Sequence, residues 1–301
     1  MDAQFSTSGR VASLQCTIRG LFPLFYVSLA IATLLLSDGR LRAQENYENY
    51  ELQVYGSRIE VPQTTMLELH NVGIADGTKT LDGTGFAPNG LYYTNNSFHE
   101  TVEIREGISA WMEASFYIFT CARSGLGWDW VGDHIRSQLR APERWRWPVG
   151  AGISVDFGYQ RPYYAANTWT MELRPIVDKQ IGRWYLAFNP AFVKSIHGQS
   201  HSQGFAFAPR VKFSYSLNKH VFIGGEYYAN YGPVSDIYSF RYQQQQFFPA
   251  VDLNLSPDWE LNFGIGIGVT TSTDDWIYKA NVGRRFDWKR RRGSASSGKF
   301  Q

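Results

Sequence analysis

Cysteine is nearly absent from this 301-residue chain, which has only two. Cys16 lies in a stretch that reads as removable, leaving Cys121 alone, so an intrachain disulfide is excluded. Cys121 follows the aromatic residues Phe116, Tyr117 and Phe119, which points to a buried or lipid-facing thiol rather than a nucleophile with a base beside it. Beyond residue 43 there is no long apolar run, so helical membrane spans are excluded. An excess of positive charge is missing too. Residues 44–288 carry 20 basic against 25 acidic side chains, which gives no footprint for nucleic acid.

The N-terminus is set apart from the rest. Arg10 and Arg19 supply a positive region, residues 21–36 are almost wholly apolar, and Leu41-Arg42-Ala43 offers a cleavage point before Gln44. Pro23 interrupts the apolar run, which is shorter than the roughly 20 residues a spanning helix needs, so a cleaved signal over 1–43 is expected rather than an anchor. Cys16 precedes the apolar run and follows Gln15, which argues against a lipoprotein.

The remainder is dominated by segments of about ten residues that alternate apolar and polar with period two. In 149–159, Val149, Ala151, Ile153, Val155, Phe157 and Tyr159 share one face, and Gly150, Gly152, Ser154, Asp156 and Gly158 share the other. Val211, Phe213, Tyr215 and Leu217 oppose Lys212, Ser214 and Ser216. Leu261, Phe263, Ile265, Ile267 and Val269 oppose Asn262, Gly264, Gly266 and Gly268. Such strands have one apolar face and one polar or tiny one.

A soluble two-sheet sandwich would also alternate, but three features favour a closed antiparallel transmembrane β-barrel of about 12 strands. Strands are placed near 64–72, 97–107, 109–122, 131–141, 148–160, 168–178, 184–194, 205–217, 221–230, 244–255, 260–270 and 277–288. Most of them are long for soluble strands and suited to tilted membrane strands of about nine to eleven residues. The fourth alternates least. Connections after odd strands are mostly long and polar, and those after even strands are tight, as on the two rims of a membrane barrel. Finally, Trp111, Trp145, Trp147, Trp184, Trp259 and Trp288 lie near the short turns and Trp128, Trp130, Trp169 and Trp276 near the opposite ends, as two interfacial girdles require.

Asn281, Gly283, Phe286 and Trp288 resemble the signal at the end of outer-membrane proteins that the barrel assembly machinery reads. Here residues 289–301, a basic tail rich in Ser and Gly, follow that signal. The repeated order of turn, Trp and carboxylate in Gly107-Ile108-Ser109-Ala110-Trp111-Met112-Glu113 and in Leu255-Ser256-Pro257-Asp258-Trp259-Glu260-Leu261 is similar to the phenol-degradation meta-pathway outer-membrane proteins. The resemblance extends over most of 64–288. It implies export to the outer membrane of a Gram-negative bacterium, contact with its lipid and lipopolysaccharide, passage of small hydrophobic or aromatic molecules, and no catalytic residue.

The expected organisation is therefore a signal at 1–43, a periplasmic segment at 44–63, a barrel at 64–288 and a disordered tail at 289–301. The interior should carry Glu103, Arg105, Asp156, Glu172, Arg174, Arg210, Lys212, Glu226, Asp252, Asn254, Asn262, Lys279 and Arg285, with Glu260 and Asn281 beside them. Mixed charges fit either a narrow polar pore or a lumen closed by its own ion pairs.

A hydrolase would need a nucleophile, a base and a carboxylate to orient that base. His134 with Asp133 and Ser137 is the grouping to consider, and it has no distinguishing mark. His197 and His201 have zinc-like spacing but sit in a Gly-, Ser- and Gln-rich stretch with no third ligand near, so no metal and no cofactor is assigned. Gly264, Gly266 and Gly268 are read as room inside the barrel, because no helix follows to make a phosphate cradle.

Overall fold

The computed structural model describes residues 51–77, 94–125 and 127–288. The expected signal, residues 44–50 and the basic tail lie outside the described residues. Twelve strands run β1 (Thr64–Asp76), β2 (Ser97–Ser109), β3 (Met112–Arg123), β4 (Gly127–Arg140), β5 (Gly150–Gln160), β6 (Asn167–Ile181), β7 (Trp184–Gly198), β8 (Ala206–Ser216), β9 (Val221–Asn230), β10 (Gln244–Ser256), β11 (Trp259–Gly268) and β12 (Trp276–Asp287). Each pairs antiparallel with its sequence neighbours, and β1 closes on β12 from Thr64↔Asp287 to Asp76↔Trp276. The ring has no free edge, and the sandwich is excluded.

The alternation sorts side chains as the pleat dictates. On β5, Ile153, Val155 and Phe157 are exposed on the outer face while Ser154 and Asp156 are buried within. Leu186, Phe188, Phe213, Ile223, Phe263, Ile265 and Ile267 continue the apolar outer face around the ring. A continuous apolar band of this kind is not left in water. All ten tryptophans are exposed on the outside, clustered near the strand ends. The band predicts a sharp asymmetry between neighbours. Val155→Arg puts a cation on the outer face and should cost about 2–4 kcal/mol near mid-membrane, read by urea unfolding in lipid vesicles, whereas an outward position beside the rims should cost far less.

Three expectations are corrected. The fourth strand, expected from 131, starts earlier, at Gly127, and its phase breaks at Val131: Phe119 pairs with Gly132 and Thr120 with Trp130, so one extra residue bulges out and spoils the alternation. The alternation of connection length fails around the same strand. Only three residues separate β3 from β4 where a long loop was expected, and nine separate β4 from β5 where a tight turn was expected.

The third correction concerns the segment before the barrel. Residues 51–63 do not stand outside it but enter the lumen from the short-turn end as a strap: Leu52 and Tyr55 are almost wholly buried, held by Lys279, Asn281 and Asn189. Gly107 makes room for the strap where it leaves the barrel, because a Cβ there would lie 2.1 Å from the Val61 carbonyl oxygen.

Candidate functional site: an occupied, charged lumen

The interior is polar from the short-turn end to the long-loop end, where Ser97, His99, Arg123, Gln244 and Gln246 are buried, and two apolar clusters are set into it. Tyr117, Phe119, Cys121 and Val131 form one buried cluster, with Tyr164 packed on it. Val72, Ile74, Tyr228, Phe248 and Ile277 form another together with Leu52 and Val54 of the strap. Gly266 admits the Phe248 ring, since a Cβ there would meet it at 2.3 Å. Cys121 is thus inside and buried.

At mid-height, ion pairs run around the wall. Arg105 donates to Glu68 at 2.8 Å and to Glu103 at 3.1 Å, and Arg136 donates to Glu103 at 2.7 Å. Glu103 also accepts from the Tyr117 hydroxyl at 3.0 Å and meets His70 Nε2 at 3.1 Å. Further round, Glu172 pairs with Arg174 and, at 3.0 Å, with Arg210. On the opposite wall Lys212 pairs with Asp252 at 2.6 Å and Glu226 at 3.1 Å, and Lys279 pairs with Glu226. Asn262 donates to Glu226 at 3.0 Å and to Asp252 at 2.6 Å. Buried charges persist only when paired and hydrogen-bonded in this way.

The remaining candidate residues lie nearby. Asp156 meets His134 at 2.7 Å, and Arg285 bridges Glu60 of the strap and Glu260. Asn254 lines a cavity of about 720 Å³ at the short-turn end, bounded also by Gln53, Ser57, Asp178, Lys212 and Asn262.

The strap completes the networks. Glu51 accepts from Arg136 at 3.2 Å and from Arg174 at 3.5 Å, joining two parts of the wall, and the Tyr55 hydroxyl donates to it. The Tyr55 ring lies 4.0 Å from the Arg136 guanidinium, 4.8 Å from that of Arg174 and 5.8 Å from that of Arg105. Desolvated cation–π contacts of this kind are worth about 2 kcal/mol or more.

Burial pushes the Glu51 carboxyl upward, but Arg174, then Arg136 and Arg210, outweigh it and hold it at about 2, against 4.5 unperturbed. A lowered pKa means that the docking energy is fully present above 4.5 and is lost as pH falls toward 2. The strap should therefore stay seated between pH 7 and 5 and loosen only below about pH 4, read as the rate at which a protease added at the short-turn side removes it.

The other groupings are less organised. Of the trio weighed for hydrolysis, His134 pairs with Asp156, while the Asp133 side chain accepts instead from the Trp130 indole. His197 contacts Thr168 at 2.7 Å and His201 the Gly198 carbonyl at 2.9 Å. Glu68, His70 and Glu103 are close enough to share an ion, yet Arg105 already bridges both carboxylates. The end of β12 is tied across the closing seam: Trp288 stacks on Phe286 and donates to Thr65 at 2.8 Å, and Gly283 packs against Met66.

Sequence reasoning missed the strap and with it Glu51, Tyr55 and Glu60. A weak signal was available, because Leu52 and Val54 alternate with Glu51, Gln53 and Tyr55 in the segment that precedes the first strand.

No family model matches the sequence, and no curated relative does. By structure the chain is similar to the COG4313 outer membrane channel from Pseudomonas putida F1, at 11% identity and a TM-score of 0.52 over 81% of this chain and 100% of that one. It is also similar to the KdgM porin, at 10% identity and a TM-score of 0.47 over 73% of this chain and 99% of that one. At such identities the likeness is one of architecture: the chain has the fold of an outer-membrane β-barrel.

Proposed function

We propose that the protein is an outer-membrane channel for small hydrophobic or aromatic molecules, exported by a cleaved signal, with the short-turn rim in the periplasm and the strap acting as a removable plug. The observation that carries this is the cavity of about 720 Å³ that opens at the short-turn end and stops at the strap. A purely structural barrel has no need of such a vestibule. The apolar band and the tryptophans near both rims support the membrane location.

The similarity to the phenol-degradation meta-pathway proteins supports an aromatic solute. The strand-end residues Asn281, Gly283, Phe286 and Trp288 support recognition by the barrel assembly machinery, with lipopolysaccharide and lipid as the surroundings of the finished barrel.

The test is conductance in planar bilayers. The chain from residue 44 should give rare, brief openings, and the chain from residue 62 a steady conductance. Silence from the shortened chain, once its heat-modifiable mobility shows a folded barrel, would leave the plugged structural barrel as the reading.

A further inference from the structure

Tyr55 and Glu51 are the strap side chains that meet the guanidinium groups of Arg136 and Arg174. The rest of its grip at this height is the Tyr117 hydroxyl, which meets both side chains, together with apolar packing and backbone bonds: Lys279 and Asn281 hold the Leu52 carbonyl, and Asn189 holds both the amide and the carbonyl of Tyr55. An aromatic ring enclosed by three guanidinium groups, beside a carboxylate held by two of them, is how a protein would hold an aromatic acid.

We propose that Arg105, Arg136 and Arg174 form a binding site for an arylalkyl carboxylate, and that the strap seals the lumen by presenting a tethered copy of that ligand. This deepens the channel reading and rests on it for the route by which the ligand arrives. The spacing narrows the class. The Tyr55 hydroxyl donates to Glu51, so the carboxyl carbon stands beyond the ring rather than bonded to it. A molecule filling both positions carries a short chain between ring and carboxylate, as an arylpropanoate does and a benzoate does not. Glu103 and Glu172 stay paired to these arginines when the strap leaves, which keeps the site weak enough to release its ligand.

The test uses the chain from residue 44 carrying Glu51→Gln and Tyr55→Ala, titrated calorimetrically with hydrocinnamate, propionate and phenylpropanol. Hydrocinnamate should bind about tenfold more tightly than the acid without a ring or the alcohol without a charge, and about a hundredfold more tightly than it binds the unaltered chain, where the strap competes. Equal binding of the three, or none, overturns the site.

Arg136→Lys in the same background keeps the charge but loses the fork, and should weaken hydrocinnamate about tenfold. If that variant does not refold, labelling decides: with the strap otherwise intact, hydrocinnamate should speed maleimide reaction at Ser57→Cys and propionate should not. No acceleration counts against the proposal. The channel reading fails separately. Conductance without a preference for hydrocinnamate removes the site and leaves the channel, and binding to a barrel that stays silent removes the channel and leaves the site.

Discussion

Tyr55→Ala with Glu51→Gln should turn a mostly closed barrel into a mostly open one without altering the strands. The alanine removes a buried ring, for which truncations typically cost about 3–5 kcal/mol, and with it the contacts to three guanidinium groups. The glutamine removes the charge that Arg136 and Arg174 share. Even the lower figure, set against about 1.4 kcal/mol per tenfold, shifts the seated-to-unseated ratio by roughly a hundredfold or more. Bilayer recordings should show open probability rising on that scale with single-channel conductance unchanged. An unchanged open probability would mean that the strap is held elsewhere.

The second large effect is on the wall itself. Glu103 accepts from Arg105, Arg136 and Tyr117, meets His70, and is wholly buried. Glu103→Ala leaves two buried guanidinium groups short of a partner, and breaking a buried pair from one side costs about 3–5 kcal/mol. Glu103→Gln keeps the volume but loses the charge and should fall between the alanine variant and the unaltered protein. The control is the Arg140–Glu143 pair, in which Glu143 is largely exposed, so Glu143→Gln should leave the unfolding midpoint in place. Equal midpoints for Glu103→Ala and Glu143→Gln would show that the mid-height network contributes nothing to stability.

What could be read from the chain follows from what the physics makes local. Period-two alternation is a property of one strand, so β5, β8 and β11 were evident from their own residues. Where β4 was hard to place, the reason is equally local: the bulge at Val131 inverts the phase between Trp130 and Gly132.

The ion pairs between strands were not legible, because Glu103 on β2 meets Arg136 on β4 only once both strands have paired with β3, which brings their long side chains over the intervening strand. Nor was the apolar part of the interior. A rule placing polar residues inside fails for Val72, Ile74, Phe119 and Ile277, which are buried in two apolar clusters within the lumen rather than facing water. The strap escaped notice for a related reason. Its side chains and backbone amides find their polar partners on six different strands, β2, β3, β4, β6, β7 and β12, and nothing in thirteen residues states that.

The seat of the strap is the claim to test most directly, and Ser57 with Gly150 provides the means: a Cβ at Gly150 would lie 2.3 Å from the Ser57 hydroxyl oxygen. With Cys121→Ser to remove the native thiol, Ser57→Cys with Gly150→Cys should oxidise to an intramolecular disulfide in refolded vesicles. Conductance should then be held shut until a reductant is added. Two thiols that stay free under oxidant, on a strap that a protease removes as fast as in the unlinked protein, would contradict it.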